Sequence, residues 1–169
     1  MIEMKVAGIA LEAATRNPIV LLRDASERRQ LPIYIAQDQA RAIANALENQ
    51  TPPRPLTHDL VVNLMDEWDM SVERVVIHSL QDNTFYAILT VRQGEVRKEL
   101  DARPSDAIAI ALRTHSPIWV MEEVVADASI PVDRDADEAE RQEFRDFLSN
   151  LRPEDFTQRG PSKSGDGGN

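Results

Sequence analysis

The chain has 169 residues, enough for one domain with its own core, and its 42% hydrophobic and 28% charged content excludes wholesale disorder. There is no cysteine, which excludes disulfides, thiolate metal sites and cysteine nucleophiles. The net charge of −10 divides into −5 over residues 1–126 and −5 over residues 127–169, so neither part is the basic stripe of a tight, non-specific nucleic-acid binder.

Three strand-like runs open the chain, at residues 2–11, 18–23 and 28–35, separated by the turn-formers Arg16-Asn17-Pro18 and Asp24-Ala25-Ser26. The start Met1-Ile2-Glu3-Met4-Lys5-Val6 lacks the basic and apolar regions of a signal peptide. Runs such as Ile19-Val20-Leu21-Leu22 are too short to cross a bilayer. The expected location is therefore the cytoplasm, away from membranes. A helix follows over residues 39–48 with Asp38 placed to cap it, and Pro52-Pro53-Arg54-Pro55 then reads as a stiff extended spacer. The next helix has Thr57 as its expected cap and Leu56 and Val61 as a hydrophobic staple. Leu60, Val61, Leu64, Met65 and Trp68 are expected to form its one apolar face.

The pattern then restarts. Strands are expected at 72–80, 85–92 and 95–101, with turns at Gln81-Asp82-Asn83 and Gln93-Gly94, followed by a helix at 104–113. Ala42-Ile43-Ala44-Asn45-Ala46-Leu47 agrees with Ala107-Ile108-Ala109-Ile110-Ala111-Leu112 at five of six positions, after three strands each time, at an offset of 65. This indicates an internal duplication. Pro117-Ile118-Trp119-Val120-Met121 is a short final strand. An acid-rich start at 133–139 then leads a helix whose Phe144, Phe147, Leu148 and Leu151 make one stripe, suited to docking on its own domain or to a protein partner. Residues 160–169 are rich in glycine and serine and are expected to be disordered.

No phosphate loop, dinucleotide-binding glycine motif, HExxH or GxSxG occurs. Two helix starts carry the candidate chemistry. In Arg54-Pro55-Leu56-Thr57-His58-Asp59, His58 is either an exposed first-turn residue or a proton shuttle, with Asp59 orienting it or binding metal. A direct His58–Asp59 pair is disfavoured because adjacent helical positions diverge. In Asp101-Ala102-Arg103-Pro104-Ser105-Asp106, the offset of 65 sets the cation Arg103 against Asp38 of the first copy. A cation at a helix start breaks a local rule, which points to anion binding by Arg103 and the free amides. Asp101 and Asp106 are placed to hold a divalent cation, magnesium or manganese, beside it; the alternative is that Arg103 pairs with those carboxylates. His78 and His115 read as structural.

These two stretches resemble the signature segments of the bifunctional nuclease (DNase–RNase) domain family, as do Phe85-Tyr86-Ala87, Glu122-Glu123-Val124 and the ending Phe144 to Phe156, so the likeness spans residues 1–156. It implies a duplicated α+β fold of β-β-β-α(-α) units around one curved, barrel-like, mostly antiparallel sheet, plus a C-terminal amphipathic helix. The expected organisation is a duplicated domain over 1–130, with repeats at about 1–70 and 71–130, a C-terminal helix and cap over 131–158, and a tail over 159–169. The resulting expectation is a weak, sequence-tolerant, divalent-metal-dependent nuclease acting on RNA and DNA. His58, Asp59, Asp101 and Asp106 would be catalytic, with Asp101 and Asp106 also holding the metal, and Arg54, Arg103 and Ser105 would contact phosphate. The rival is a non-catalytic regulatory or protein-interaction module. A homodimer is expected because duplicated sheets leave edges to cover.

Overall fold

The computed structural model describes residues 1–132 and 134–150, so the expected tail lies outside the described residues. In chain order the elements are β1 (Ile2–Leu11), β2 (Pro18–Asp24), β3 (Arg29–Tyr34), α1 (Gln37–Leu47), α2 (Thr57–Glu67), β4 (Met70–Gln81), β5 (Thr84–Gln93) and β6 (Val96–Ala102). They continue with α3 (Pro104–Thr114), β7 (Ile118–Val120), α4 (Glu122–Ala128), β8 (Ile130–Pro131) and α5 (Arg134–Asn150). All eight strands form one sheet in the order β6-β5-β4-β7-β1-β2-β3-β8. Each repeat supplies one antiparallel three-strand meander, and β7 sits between their innermost strands, antiparallel to β1 and parallel to β4.

The expectation of a barrel-like sheet is corrected here. The sheet is open, with β6 and β8 as its two ends. The second meander runs out at β6, and the two-residue β8 is spent pairing with Arg29 and Gln30 of β3, so among the described residues no strand bridges the ends.

Strand alternation directs one face to a single core. Val20, Leu22, Leu31, Val75, Ile77 and Ala87 point into it, and α1 and α3 cover them with Ala40, Ile43, Ala107 and Ile108. The alanines matter because they let the two sister helices lie close to the sheet and to each other. Gly8 pairs with Leu21, which alternates away from Val20 and Leu22 onto the other face. There α5 packs along β1, so close that a Cβ on Gly8 would meet Arg141 Nε at 3.3 Å. Phe144 is 5% exposed, and Phe147 and Leu148 are half-buried, so these three residues of the amphipathic stripe dock on the domain, while Leu151 lies outside the described residues.

Three local expectations need correction. The N-cap of α1 is Ala36 rather than Asp38, and that of α2 is Leu56 rather than Thr57; neither start has a side-chain cap. Instead the third helical residue reaches back: Ala36 N–H donates to Gln39 Oε1 at 3.1 Å, and Leu56 N–H donates to Asp59 Oδ2 at 2.9 Å. The Leu56–Val61 staple moves out of register with that shift. On α2 only Val61, Val62 and Met65 turn toward the core, while Leu60, Leu64 and Trp68 stay 61%, 55% and 63% exposed. Among the described residues, no helix is long and apolar enough to cross a membrane.

Candidate active site at two converging helix starts

Pro104 occupies the first turn of α3, where its missing N–H costs nothing, and Arg103 is the N-cap with no side-chain cap bond. Counted from the helix starts, the counterpart of Arg103 is Ala36, two residues before the Asp38 that the offset of 65 sets against it. Asp106, in the first turn of α3, takes one partner on each oxygen. Arg103 Nε donates to Oδ2 at 2.7 Å, and His58 Nε2 lies 2.9 Å from Oδ1. His58 comes from the start of α2, 48 residues away in sequence, and its side chain is 13% exposed. The two helix starts that carried the sequence motifs therefore meet.

His58 and Asp59 diverge, as adjacent helical positions must. Asp59 Oδ1 accepts from Arg113 Nε at 2.6 Å on the far side of α2. Arg113 also donates to the carbonyls of Ala42 at 3.1 Å and Ala109 at 2.8 Å, tying α1, α2 and α3 together. The first turn of α2 thus grips α3 at both ends, through His58 at its start and Asp59 at its end.

The meeting point opens into a cavity of about 850 Å³ with Asp38, Arg41, Thr57, His58, Arg103 and Asp106 on its polar wall. Val61 and Ile110 form apolar lining. Burial pushes the Asp106 carboxyl up, but the hydrogen bonds from Arg103 and His58, with their charges, outweigh it and hold the group below the ordinary carboxylate value. Burial raises Asp59 as well, and the bonds from Arg113 and the Leu56 amide bring it below its ordinary value. Arg103 is held more firmly protonated by its bond to Asp106, with Asp38 adding a smaller contribution. A carboxylate fixed between an arginine and a histidine is an arrangement that can orient an imidazole for proton transfer and present a cation to an anionic substrate.

The remaining candidates lie elsewhere. Asp101, on β6, pairs with Ile88 of β5, and its neighbours Leu100 and Ala102 share the helix-covered face with Leu89 and Ala87. Alternation therefore puts Asp101 on the opposite face of the sheet from Asp106. Ser105 is 5% exposed and does not line the cavity, and Arg54 is exposed on the spacer outside it. Asp101 and Asp106 do not make a ready ligand pair for a shared magnesium or manganese ion: strand alternation turns Asp101 to the face away from α3, and both Asp106 oxygens are engaged. Among the described residues, no three His, Asp or Glu gather at metal-binding spacing. Sequence reasoning missed Arg113, which looked like an ordinary dipole-compensating residue in a last helical turn, and Arg41, which no local rule marks. It used Asp38 as a cap when that residue lines the cavity.

Residues 20–133 match the bifunctional nuclease domain family. An uncharacterised protein of Mycobacterium tuberculosis (strain ATCC 25618 / H37Rv) is 41% identical over 162 residues, covering 91% of this chain and 97% of that protein. Bifunctional nuclease 1 of Oryza sativa subsp. japonica is 27% identical over 124 residues, 72% of this chain but 38% of the rice protein. Bifunctional nuclease 2 of the same plant is 29% identical over 112 residues, 64% of this chain and 34% of its own length. The duplicated meanders, the two motif-bearing helix starts and these matches together place the chain in the bifunctional nuclease domain family.

Proposed function

We propose that the chain is a weak, sequence-tolerant phosphodiester hydrolase acting on RNA and DNA at the cavity where α2 and α3 begin. The observation that carries this reading is the His58–Asp106–Arg103 contact, made by two helix starts that are remote in sequence. Family membership supports a hydrolase that acts on nucleic acid, and the rice relatives bear the name bifunctional nuclease.

A site that cuts DNA as well as RNA cannot depend on a 2′-hydroxyl nucleophile, so water must attack phosphorus. Asp106 holds His58 through Nε2, which leaves Nδ1 as the nitrogen that takes the proton from that water. The new P–O bond forms as the bond to the leaving sugar oxygen breaks, and the proton returns to that oxygen from His58 or solvent. Arg103 spends only Nε on Asp106, and its terminal nitrogens, on a side chain 70% exposed, serve the non-bridging phosphate oxygens. Asp59 acts indirectly, by locking the first turn of α2 onto Arg113. Weak binding follows from the charge: Arg41 and Arg103 at the cavity face Asp38 and Asp106 on a chain of net −10. Turnover with added chelator or magnesium is measured alongside.

The test compares wild type with His58→Asn, Asp106→Asn and Arg103→Ala, all carried through the same two orthogonal purification steps, on single-stranded RNA and DNA. His58→Asn should lower kcat by about 10²–10⁴, and Arg103→Ala should act mainly on KM. Unchanged cleavage in both His58→Asn and Asp106→Asn, or activity that parts from the protein during purification, overturns the reading. The second reading, a non-catalytic interaction module, is favoured by the exposed Leu60, Leu64 and Trp68 on α2.

A further inference from the structure

We propose that the cavity on the far side of α2 from His58 is a base-binding subsite, which takes an unpaired nucleobase of a single-stranded substrate, adenine before uracil. The cavity has a volume of about 440 Å³, and its chemistry is unlike that of the surface around it. The chain is 28% charged with a net charge of −10, yet the charged residues among the described lining are Asp59 and Arg113, which neutralise each other at 2.6 Å. Three of the chain's seven asparagines, Asn45, Asn49 and Asn63, line it together with Gln50. Gln50 Nε2 donates to Glu48, whereas the three asparagine side-chain amides have no hydrogen-bond partner among the described residues. Such amides offer donors and acceptors side by side without charge.

The fold selects the class of ligand. The sister helices α1 and α3 both end at this cavity, with Asn45 and Ala46 in the last turn of one and Leu112 and Arg113 in the last turn of the other. Two helix C-termini disfavour an anion. Among the described lining residues, a phosphate also finds no guanidinium or ammonium that is not already engaged, since Arg113 is held by Asp59 and by the carbonyls of Ala42 and Ala109. A neutral planar ring suits the site better. Asparagine amides match the amino group and N7 of adenine, and the negative helix ends favour that amino donor over the carbonyls of uracil. Pro52, Pro55 and Leu112 give apolar walls for the ring faces, and Arg113 and His115 are planar groups of the kind on which unstacked bases lie. Asn49 and His115 stand just past the two helices at φ 52° and 55°, where glycine is the usual residue, so polar side chains are placed there against the backbone preference. The first turn of α2 is the partition between this cavity and the one holding Arg103: His58 lines one, Asp59 the other, and Pro55 both. A helix is about 10–12 Å across, so a single strand with a phosphate at Arg103 can lay a neighbouring base over Pro55 into the amide pocket. The choice of a nucleobase among neutral planar ligands rests on the nuclease reading.

Titrating the full ¹⁵N-labelled chain with adenosine, which has no phosphodiester to cut, reads the pocket through the side-chain amide resonances of Asn45, Asn49 and Asn63. These should shift saturably with adenosine, less with uridine, and stay in place with ribose or inorganic phosphate. Asn49→Gly suits the left-handed backbone, and Asn63→Ala lies at an exposed helical position. The double variant should therefore keep the wild-type melting temperature while its adenosine affinity, read at Asn45, falls roughly tenfold or more. His58→Asn should bind adenosine as wild type does, so a failure of the nuclease reading and a failure of this subsite are told apart. Absence of shifts with adenosine overturns the proposal, as does binding that survives the double variant or is matched by ribose or phosphate. Equal affinity for uridine overturns the preference for adenine.

Discussion

Replacing Arg113 with methionine should destabilise the chain by about 2–4 kcal/mol, and the structure shows where that magnitude comes from. The Arg113 side chain is 10% exposed and its partner Asp59 is 23% exposed, so the pair is neither a surface ion pair nor a fully desolvated one. A hydrogen bond to a charged group contributes about 1.5–3 kcal/mol, and breaking a buried pair from one side costs about 3–5 kcal/mol. Asp59 retains the Leu56 amide and some contact with water, which brings the expected loss below the upper figure. The Ala42 and Ala109 carbonyls lie inside helices and keep their ladder bonds, so losing Arg113 orphans neither. Methionine keeps most of the packing volume, so the loss reports the polar contacts. Urea unfolding followed by far-UV circular dichroism measures it, and the accompanying fall in melting temperature should be about 5–15 °C at ~2–4 °C per kcal/mol. Adding Asp59→Asn to the methionine variant should cost little more, because the two residues act through one contact. A methionine variant within about 0.5 kcal/mol of wild type would refute the view that Arg113 clamps α2 to α3.

Asp59 and Asp106 both titrate below the ordinary aspartate value of 3.8 in the folded chain, so their stabilisation is complete above that value and is lost as pH falls through the folded values. Asp106→Asn should therefore lower stability at neutral pH and flatten the acid limb of a stability–pH curve, so that variant and wild type converge below about pH 4; an acid limb identical to wild type would contradict this. Phe144→Ala should cost about 3–5 kcal/mol in denaturant titration, because Phe144 is 5% exposed, and half-buried Phe147→Ala should cost clearly less. The reverse order would mean that α5 is rotated on β1. The Thr90 hydroxyl is buried without a hydrogen-bond partner among the described residues, so Thr90→Val should be neutral or stabilising in the same assay; a loss above about 1 kcal/mol would reveal a partner for that hydroxyl.

Much of this protein is local and therefore legible in the residues themselves. Alternating apolar runs set six of the strands within a residue or two, Pro104 marks the start of α3, and the repeated alanine-rich helix after three strands exposes the duplication. The motifs at the two helix starts could likewise be read as chemistry before anything was known of their position. Other features depend on partners that sequence order hides. Whether the sheet closes depends on what the end strands meet, and β8, at two residues, is too short to carry a periodic signal. The shift of each N-cap away from Asp38 and Thr57 came from Gln39 and Asp59 reaching back to the chain before the helix, a competition among good local alternatives. Asp101 and Asp106 look equivalent as nearby carboxylates, yet strand parity sends Asp101 to one face while the turn into α3 carries Asp106 to the other. Tertiary packing alone decided that His58 meets Asp106 while Asp59 meets Arg113, because side chains one helical position apart point along different directions and only the crossing of α2 over α3 determines what each one finds.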